Sequence, residues 1–223
     1  MLSDGRGLLQ SNRLPLLLIF FLSGASGLIY QVVWNRGLVL VFGSTTYATS
    51  TVLAAFMGGL AVGSLVVGRR GDRFGNPLRV YALLEMAIAV LSVLVLFAIP
   101  LLVPLYRIIS GGGEASMPVL TMARFVLSCL VLLPPTALMG ATLPILSAHL
   151  ERRGEGGGAD AGTGAGALYA ANTIGAVAGT AMAGFVLLPA LGMMKSALVA
   201  AGFNLVASAA ALRLARPSGA REG

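Results

Sequence analysis

A single cysteine, Cys129, and a single histidine, His149, occur in 223 residues. An intramolecular disulfide is thereby excluded, and a Cys/His metal centre has no ligand set to draw on. No metal or cofactor is expected. Acids number 8, and all charged residues make up 10% of the chain against 57% apolar residues and a mean hydropathy of +0.90. So little charge cannot cover a water-facing surface of ordinary polarity, so the solvent for most of this chain is lipid. The apolar runs also lack the alternation of barrel strands, and in lipid the backbone must satisfy its own polar groups, which leaves helices.

What is present follows the dimensions of a bilayer. A hydrocarbon core about 30 Å thick takes roughly 20 residues of helix. Six runs meet that length: Leu14–Trp34, Thr46–Gly68, Leu78–Val103, Val119–Leu150, Ala165–Leu188 and Met193–Leu214. The expected fold class is all-α, a polytopic integral membrane protein with six transmembrane helices. The first run is too long for a signal-peptide core and leads into Tyr30-Gln31-Val32-Val33-Trp34 instead of a small-residue cleavage site, so it counts as a span. The expected layout is a cytoplasmic segment 1–13, helices one to four within 14–150, a glycine-rich cytoplasmic linker 151–164, helices five and six within 165–214, and a cytoplasmic tail 215–223.

The net charge of +7 does not point to nucleic acid, because the basic residues sit in short loops between apolar runs. Eleven of the fifteen fall on one side of a six-span topology, and Arg36, Arg107, Arg124 and Lys195 fall on the other. The positive-inside rule then places both termini in the cytoplasm, for a multi-pass protein of the cell (inner) membrane. Tyr30, Trp34 and Tyr47 are expected as interfacial aromatics at outer helix ends, and Arg124 and Lys195 as snorkelling cations.

Polar residues inside spans are the candidates for function. Glu85 is the one acid well inside a span, roughly 10 Å along the third helix from its inner end. Two readings stand: a proton or cation site, or a structural partner for Arg69 or Arg70. Gln31, Asn172 and Thr173 add neutral polarity, as does Asn204. Gln31 and Asn172 are placed on a cavity wall, with interhelical hydrogen bonding as the alternative. Gly59 and Gly63, and Gly175 and Gly179, give small-xxx-small faces for close helix packing. Pro134-Pro135 is expected to kink or break the fourth span, since each ring removes an amide donor.

Tyr47-Ala48-Thr49-Ser50-Thr51-Val52-Leu53-Ala54 in the second span resembles Tyr169-Ala170-Ala171-Asn172-Thr173-Ile174-Gly175-Ala176 in the fifth. Those spans run in opposite directions, so the match suggests two inverted three-helix repeats. The turn after the second span, with Gly68, Asp72, Arg73 and Gly75, resembles the loop signature of the major facilitator superfamily. Its glycines permit a tight turn, and Asp72 can cap the next helix.

A broader resemblance lies in Leu22-Ser23-Gly24-Ala25-Ser26-Gly27-Leu28-Ile29-Tyr30-Gln31-Val32-Val33-Trp34, Val41-Phe42-Gly43-Ser44-Thr45-Thr46-Tyr47-Ala48, Gly140-Ala141-Thr142-Leu143-Pro144 and Leu168-Tyr169-Ala170-Ala171-Asn172-Thr173-Ile174-Gly175-Ala176. These blocks resemble the membrane domain of fused spermidine synthase-like proteins, over about residues 15 to 195. The resemblance implies a neighbouring soluble aminopropyltransferase domain, and the 223 residues contain no stretch long enough to be one. Gly162-Thr163-Gly164-Ala165-Gly166 lacks the preceding strand that a nucleotide-binding loop needs.

Two expectations remain. One is a half-facilitator-like module that binds or moves a small solute, polyamine-like cations included, as a homo-oligomer or with a membrane or enzyme partner. The other is a non-transporting anchor or subunit for a spermidine synthase-like enzyme or another membrane complex. Neither makes this chain an enzyme by itself.

Overall fold

The computed structural model describes residues 4–69, 75–111, 115–153 and 161–215, with side chains from Arg13 onward and, after the last gap, from Gly164. Helix α1 spans Asp4–Phe42, α2 Thr46–Gly68, α3 Pro77–Ser110, α4 Met117–Arg152, α5 Ala161–Met182 and α6 Leu188–Leu214, with a π-helical segment Ala183–Leu187 joining the last two. No strand occurs among the described residues. Among the described residues, five helical stretches are long and apolar enough to cross a membrane: Arg13–Phe42, Thr46–Gly68, Pro77–Ser110, Met117–Arg152 and Gly164–Leu214. The last holds 51 residues, about 75 Å if straight, and contains both the π segment and a non-helical Gly192 at φ 74°.

Local chemistry sets the ends. Gly43 at φ 87° closes α1, and the Thr45 hydroxyl then accepts from the Ala48 amide at 3.1 Å to start α2. Asn76 caps α3 by accepting from the Arg79 amide at 3.3 Å, with Pro77 in the first turn where its missing N–H costs nothing. Gly111 ends α3 in the left-handed region. The Pro134-Pro135 pair does not break α4, which continues to Arg152. Proline removes a donor, yet the flanking turns stay helical, and the Thr136 hydroxyl donates to the Leu132 carbonyl at 2.6 Å.

Helix α1 is the central element, its apolar stretch more deeply buried than that of any other helix. It contacts α5, α6 and α3, while α2 packs on α4, and α3 packs on both α4 and α6. The order of contacts fixes directions. Ile19 meets Tyr81, Ser23 meets Glu85 and Trp34 meets Ser92, so α1 and α3 are parallel. Ala82 meets Ser208 and Glu85 meets Asn204, so α3 and α6 are antiparallel.

The expected interfacial belt is corrected for two of its three members. Tyr30 and Trp34 are wholly buried, because α1 runs to Phe42 and not to Trp34. They stack at 5.4 Å, Trp34 packs on Phe56 at 6.3 Å, and the indole N–H donates to the Ser92 carbonyl at 3.2 Å. Tyr47 is exposed.

Candidate functional site

Glu85 lies about two turns into α3, on the face turned towards α1 and α6, and is wholly buried. Its carboxyl oxygens accept from the Ser23 hydroxyl of α1 at 2.6 Å and from the Asn204 amide of α6 at 2.5 Å. Tyr81, one turn earlier on α3, also faces the carboxyl and donates to the Ile19 carbonyl at 3.3 Å. The Ser208 hydroxyl donates to the Ala82 carbonyl at 2.7 Å, closing the layer below. The pairing expected with Arg69 is corrected: Arg69 caps the exposed end of α2, and neutral groups take both carboxyl oxygens. Arg70 lies outside the described residues.

Beside this layer is a cavity of about 250 Å³ between α1, α2, α4 and α5. Its polar wall is Ser23, Ser64, Thr142, Tyr169 and Asn172. Ser23 belongs to both features, lining the cavity and donating to Glu85. The Thr142 hydroxyl is already committed to the Met139 carbonyl at 2.7 Å. Among the described residues no basic side chain lines the cavity, and Phe20, Leu28, Phe56 and Leu60 supply apolar wall.

The structure thus brings Asn172 to the cavity and links Glu85 to it through Ser23, while Gln31 and Thr173 lie elsewhere. Gln31 is half-buried on α1, and Thr173 is exposed, its hydroxyl donating to the Tyr169 carbonyl at 2.8 Å. Sequence reasoning did not single out Ser23, Ser64 or Tyr81. Ser23 had one available signal, its place in a Ser-Gly-Ala-Ser-Gly run where small residues let helices approach.

Two crossings frame the cavity. On α2 and α4, a methyl added to Gly63 would overlap the Ala137 carbonyl, one on Gly140 the Leu60 carbonyl, and one on Gly59 the Thr136 hydroxyl. On α1 and α5, a methyl on Gly175 would overlap the Phe21 carbonyl, one on Gly179 the Ala25 carbonyl, and one on Gly24 the Asn172 carbonyl. Backbone meets backbone at both places, which only glycine permits. Of the loop motif, Gly68 is exposed, and Gly75 accepts from the Arg152 guanidinium at 3.1 Å. Asp72 and Arg73 lie outside the described residues.

Arg124 corrects a further expectation. It does not snorkel: it is 6% exposed. Its Nε donates to the Tyr106 hydroxyl at 3.0 Å and its guanidinium lies 5.8 Å from the Tyr106 ring centre. The aromatic partner arrives from α3, so burial here exploits a π face and a hydroxyl together. Lys195 is exposed. No cluster of metal-ligating side chains occurs among the described residues.

No family model and no solved structure matches this chain. Among curated proteins it is similar to polyamine aminopropyltransferase 1 of Streptomyces coelicolor, 29% identical over 202 residues that cover 89% of this chain and 33% of the relative. It is 32% identical over 194 residues to the polyamine aminopropyltransferase of Mycobacterium tuberculosis, covering 82% of this chain and 32% of that protein. The chain therefore spans about a third of the length of the curated relatives it matches.

Proposed function

We propose that this chain is a membrane module of polyamine aminopropyltransferase-type proteins, and that it binds a small organic cation of the polyamine class in the cavity beside Ser23 and moves it across the membrane. One observation carries the reading: Ser23 stands between the cavity and a buried carboxyl. Its proton is committed to Glu85, so its lone pairs are left to accept from a donor in the cavity. Acceptors gathered in a site without basic residues suit an ammonium group, and the aromatic and aliphatic wall suits the methylene chain between two such groups.

The proposed topology has six crossings, with both termini cytoplasmic and the Gly164–Leu214 stretch folded back near Gly192. Length supports it, since one crossing takes roughly 20 residues, and so does the antiparallel order of α3 and α6. A facilitator-like pair of inverted repeats is proposed on the contact pattern. Exchanging α1 with α4, α2 with α5 and α3 with α6 carries the α2–α4 contact onto α5–α1, and α3–α4 onto α6–α1. The same exchange carries Gly63 on Ala137 onto Gly175 on Phe21, and Gly140 on Leu60 onto Gly24 on Asn172.

The test is equilibrium binding of radiolabelled putrescine and spermidine to the purified chain in nanodiscs. Saturable binding that weakens about tenfold in Ser23→Ala and in Asn172→Leu is expected, the loss of one charge-assisted contact each. Absence of saturable binding overturns the proposal. A second reading, an anchor that positions a transferase, draws on the names of the relatives. Proteoliposomes separate the two, because an anchor gives no uptake of the bound cation.

A further inference from the structure

A second pocket, of about 610 Å³, opens where α1 turns into α2 and the π segment comes alongside. Val32, Asn35, Arg36 and Val39 line it from one face of α1, at the spacing that puts residues in a row along a helix. Gly43 ends α1 and Thr45 starts α2 within a short turn, and this brings Ser44 and Thr49 over the pocket. The opposite wall is Gly184, Leu188 and Pro189.

The donors and acceptors here are of two kinds. The Asn35 side-chain oxygen is buried and has no hydrogen-bond partner. A backbone acceptor adds to it. In the π segment the Leu188 amide donates to the Ala183 carbonyl, and the next carbonyl in that series, Gly184, would need the amide of Pro189, which has no N–H. Gly184 lines the pocket, with room beside its Cα for a methyl. The Gly184 carbonyl is thus left without a donor in the helix, and such a carbonyl persists where it lines a cavity. Arg36, by contrast, is an exposed guanidinium in the same wall. A simple anion would meet the two bare oxygens, and a simple cation would meet Arg36. A ligand carrying both signs satisfies both.

We propose that this pocket takes a zwitterion of phosphoethanolamine chemistry, its phosphate on Arg36 with the Ser44 and Thr49 hydroxyls, and its primary ammonium on the Asn35 oxygen and the Gly184 carbonyl. Phosphate matches a guanidinium through paired N–H donors, and the ammonium must carry N–H groups to use the two oxygens. A choline headgroup carries none and is discriminated against. The headgroup of an aminophospholipid and the soluble ester present the same chemistry. This site is separate from the Ser23 cavity, and its occupancy is independent of the function proposed above.

Thermal unfolding of the purified full chain in detergent tests the proposal, with dioleoyl phosphatidylethanolamine, dioleoyl phosphatidylcholine and soluble phosphoethanolamine as probes. The ethanolamine lipid is expected to raise the midpoint, and the choline lipid to leave it unchanged. Arg36→Gln and Asn35→Leu should each raise the half-effect concentration about tenfold, as loss of a charge-assisted hydrogen bond would, while Ser23→Ala leaves it unmoved. A response to the soluble ester as well assigns the ligand to the aqueous phase, and a response to the lipid alone assigns it to the bilayer. Equal response to both lipids, or an unaltered response in Arg36→Gln, overturns the proposal. Where Asn35→Leu does not accumulate, substitution of the exposed Thr49 by Val tests the phosphate end, and the ethanolamine-against-choline contrast in the parent chain tests the ammonium end.

Discussion

The Ser23 hydroxyl donates to Glu85 at 2.6 Å across 62 residues of sequence, tying the middle of α1 to the third turn of α3. Asn204 does the same from α6 across 119 residues. Glu85→Leu strands both donors in a buried layer. Each stranded group costs about 1–3 kcal/mol by soluble-protein measure, and membrane hydrogen bonds average nearer about 0.6 kcal/mol, so a loss of about 1–6 kcal/mol is expected for the two together. Glu85→Gln keeps an acceptor and should fall between Leu and the parent in thermal midpoint while losing cation binding. A Glu85→Leu protein as stable as the parent would show that the layer does not hold the helices together.

The glycine crossings give a contrast within single helices. Gly63→Ala and Gly175→Ala must push a neighbouring backbone away, an overpacking cost of about 1–3 kcal/mol, and both should lower the thermal midpoint. Gly58 lies one position from Gly59 on α2, and a methyl there meets nothing within 4 Å. Gly58→Ala should therefore be neutral or gain up to about 1 kcal/mol of helix propensity. Equal loss from Gly58→Ala and Gly63→Ala would refute the close approach.

Much of the helical framework was legible because apolar length alone dictates it, and the break near Gly192 falls in the gap between the fifth and sixth apolar runs. The far end of α1 was not. Gln31, Asn35 and Arg36 beside Tyr30 and Trp34 look like an interface, and only Ser92, 58 residues on, supplies the carbonyl that lets Trp34 sink into the core. Glu85 stood out as an acid in an apolar run, but its partners come from α1 and α6, which no local pattern links. Arg124 was misread for the same reason, since Tyr106 reaches it from the preceding helix. The repeat register also differs. The short match pairs Tyr47 with Tyr169, 122 apart, while the glycine contacts pair Gly63 with Gly175, 112 apart, because contacts depend on where backbones cross and not on which small residues recur.

The proposed topology puts the α1–α2 turn outside and the end of α4 inside. Ser44 and Arg153 are both exposed. In a Cys129→Ser background, Ser44→Cys should react with an impermeant maleimide on intact cells, and Arg153→Cys should react only after lysis. The opposite pattern would invert the orientation drawn from the basic residues.

The last expectation is that residues 1–223, purified, transfer no aminopropyl group from decarboxylated S-adenosylmethionine to putrescine, although the relatives are named for aminopropyl transfer. Such a transfer needs a pocket that holds the sulfonium donor and an acid placed to take the proton from the attacking amine, with both substrates in reach of each other. Among the acids whose side chains are described, Glu151 is exposed at the end of α4 and Glu85 is buried. Both Glu85 oxygens are occupied by Ser23 and Asn204, so the cavity reaches this carboxyl only through a hydroxyl. A cavity of about 250 Å³ in such a setting suits one slender cation better than two reactants. Product formation is measured against a no-protein control, with Glu85→Gln alongside. Turnover that follows the chain through purification and disappears in Glu85→Gln would make the Ser23 cavity a catalytic site, and the binding function proposed for it would have to be replaced.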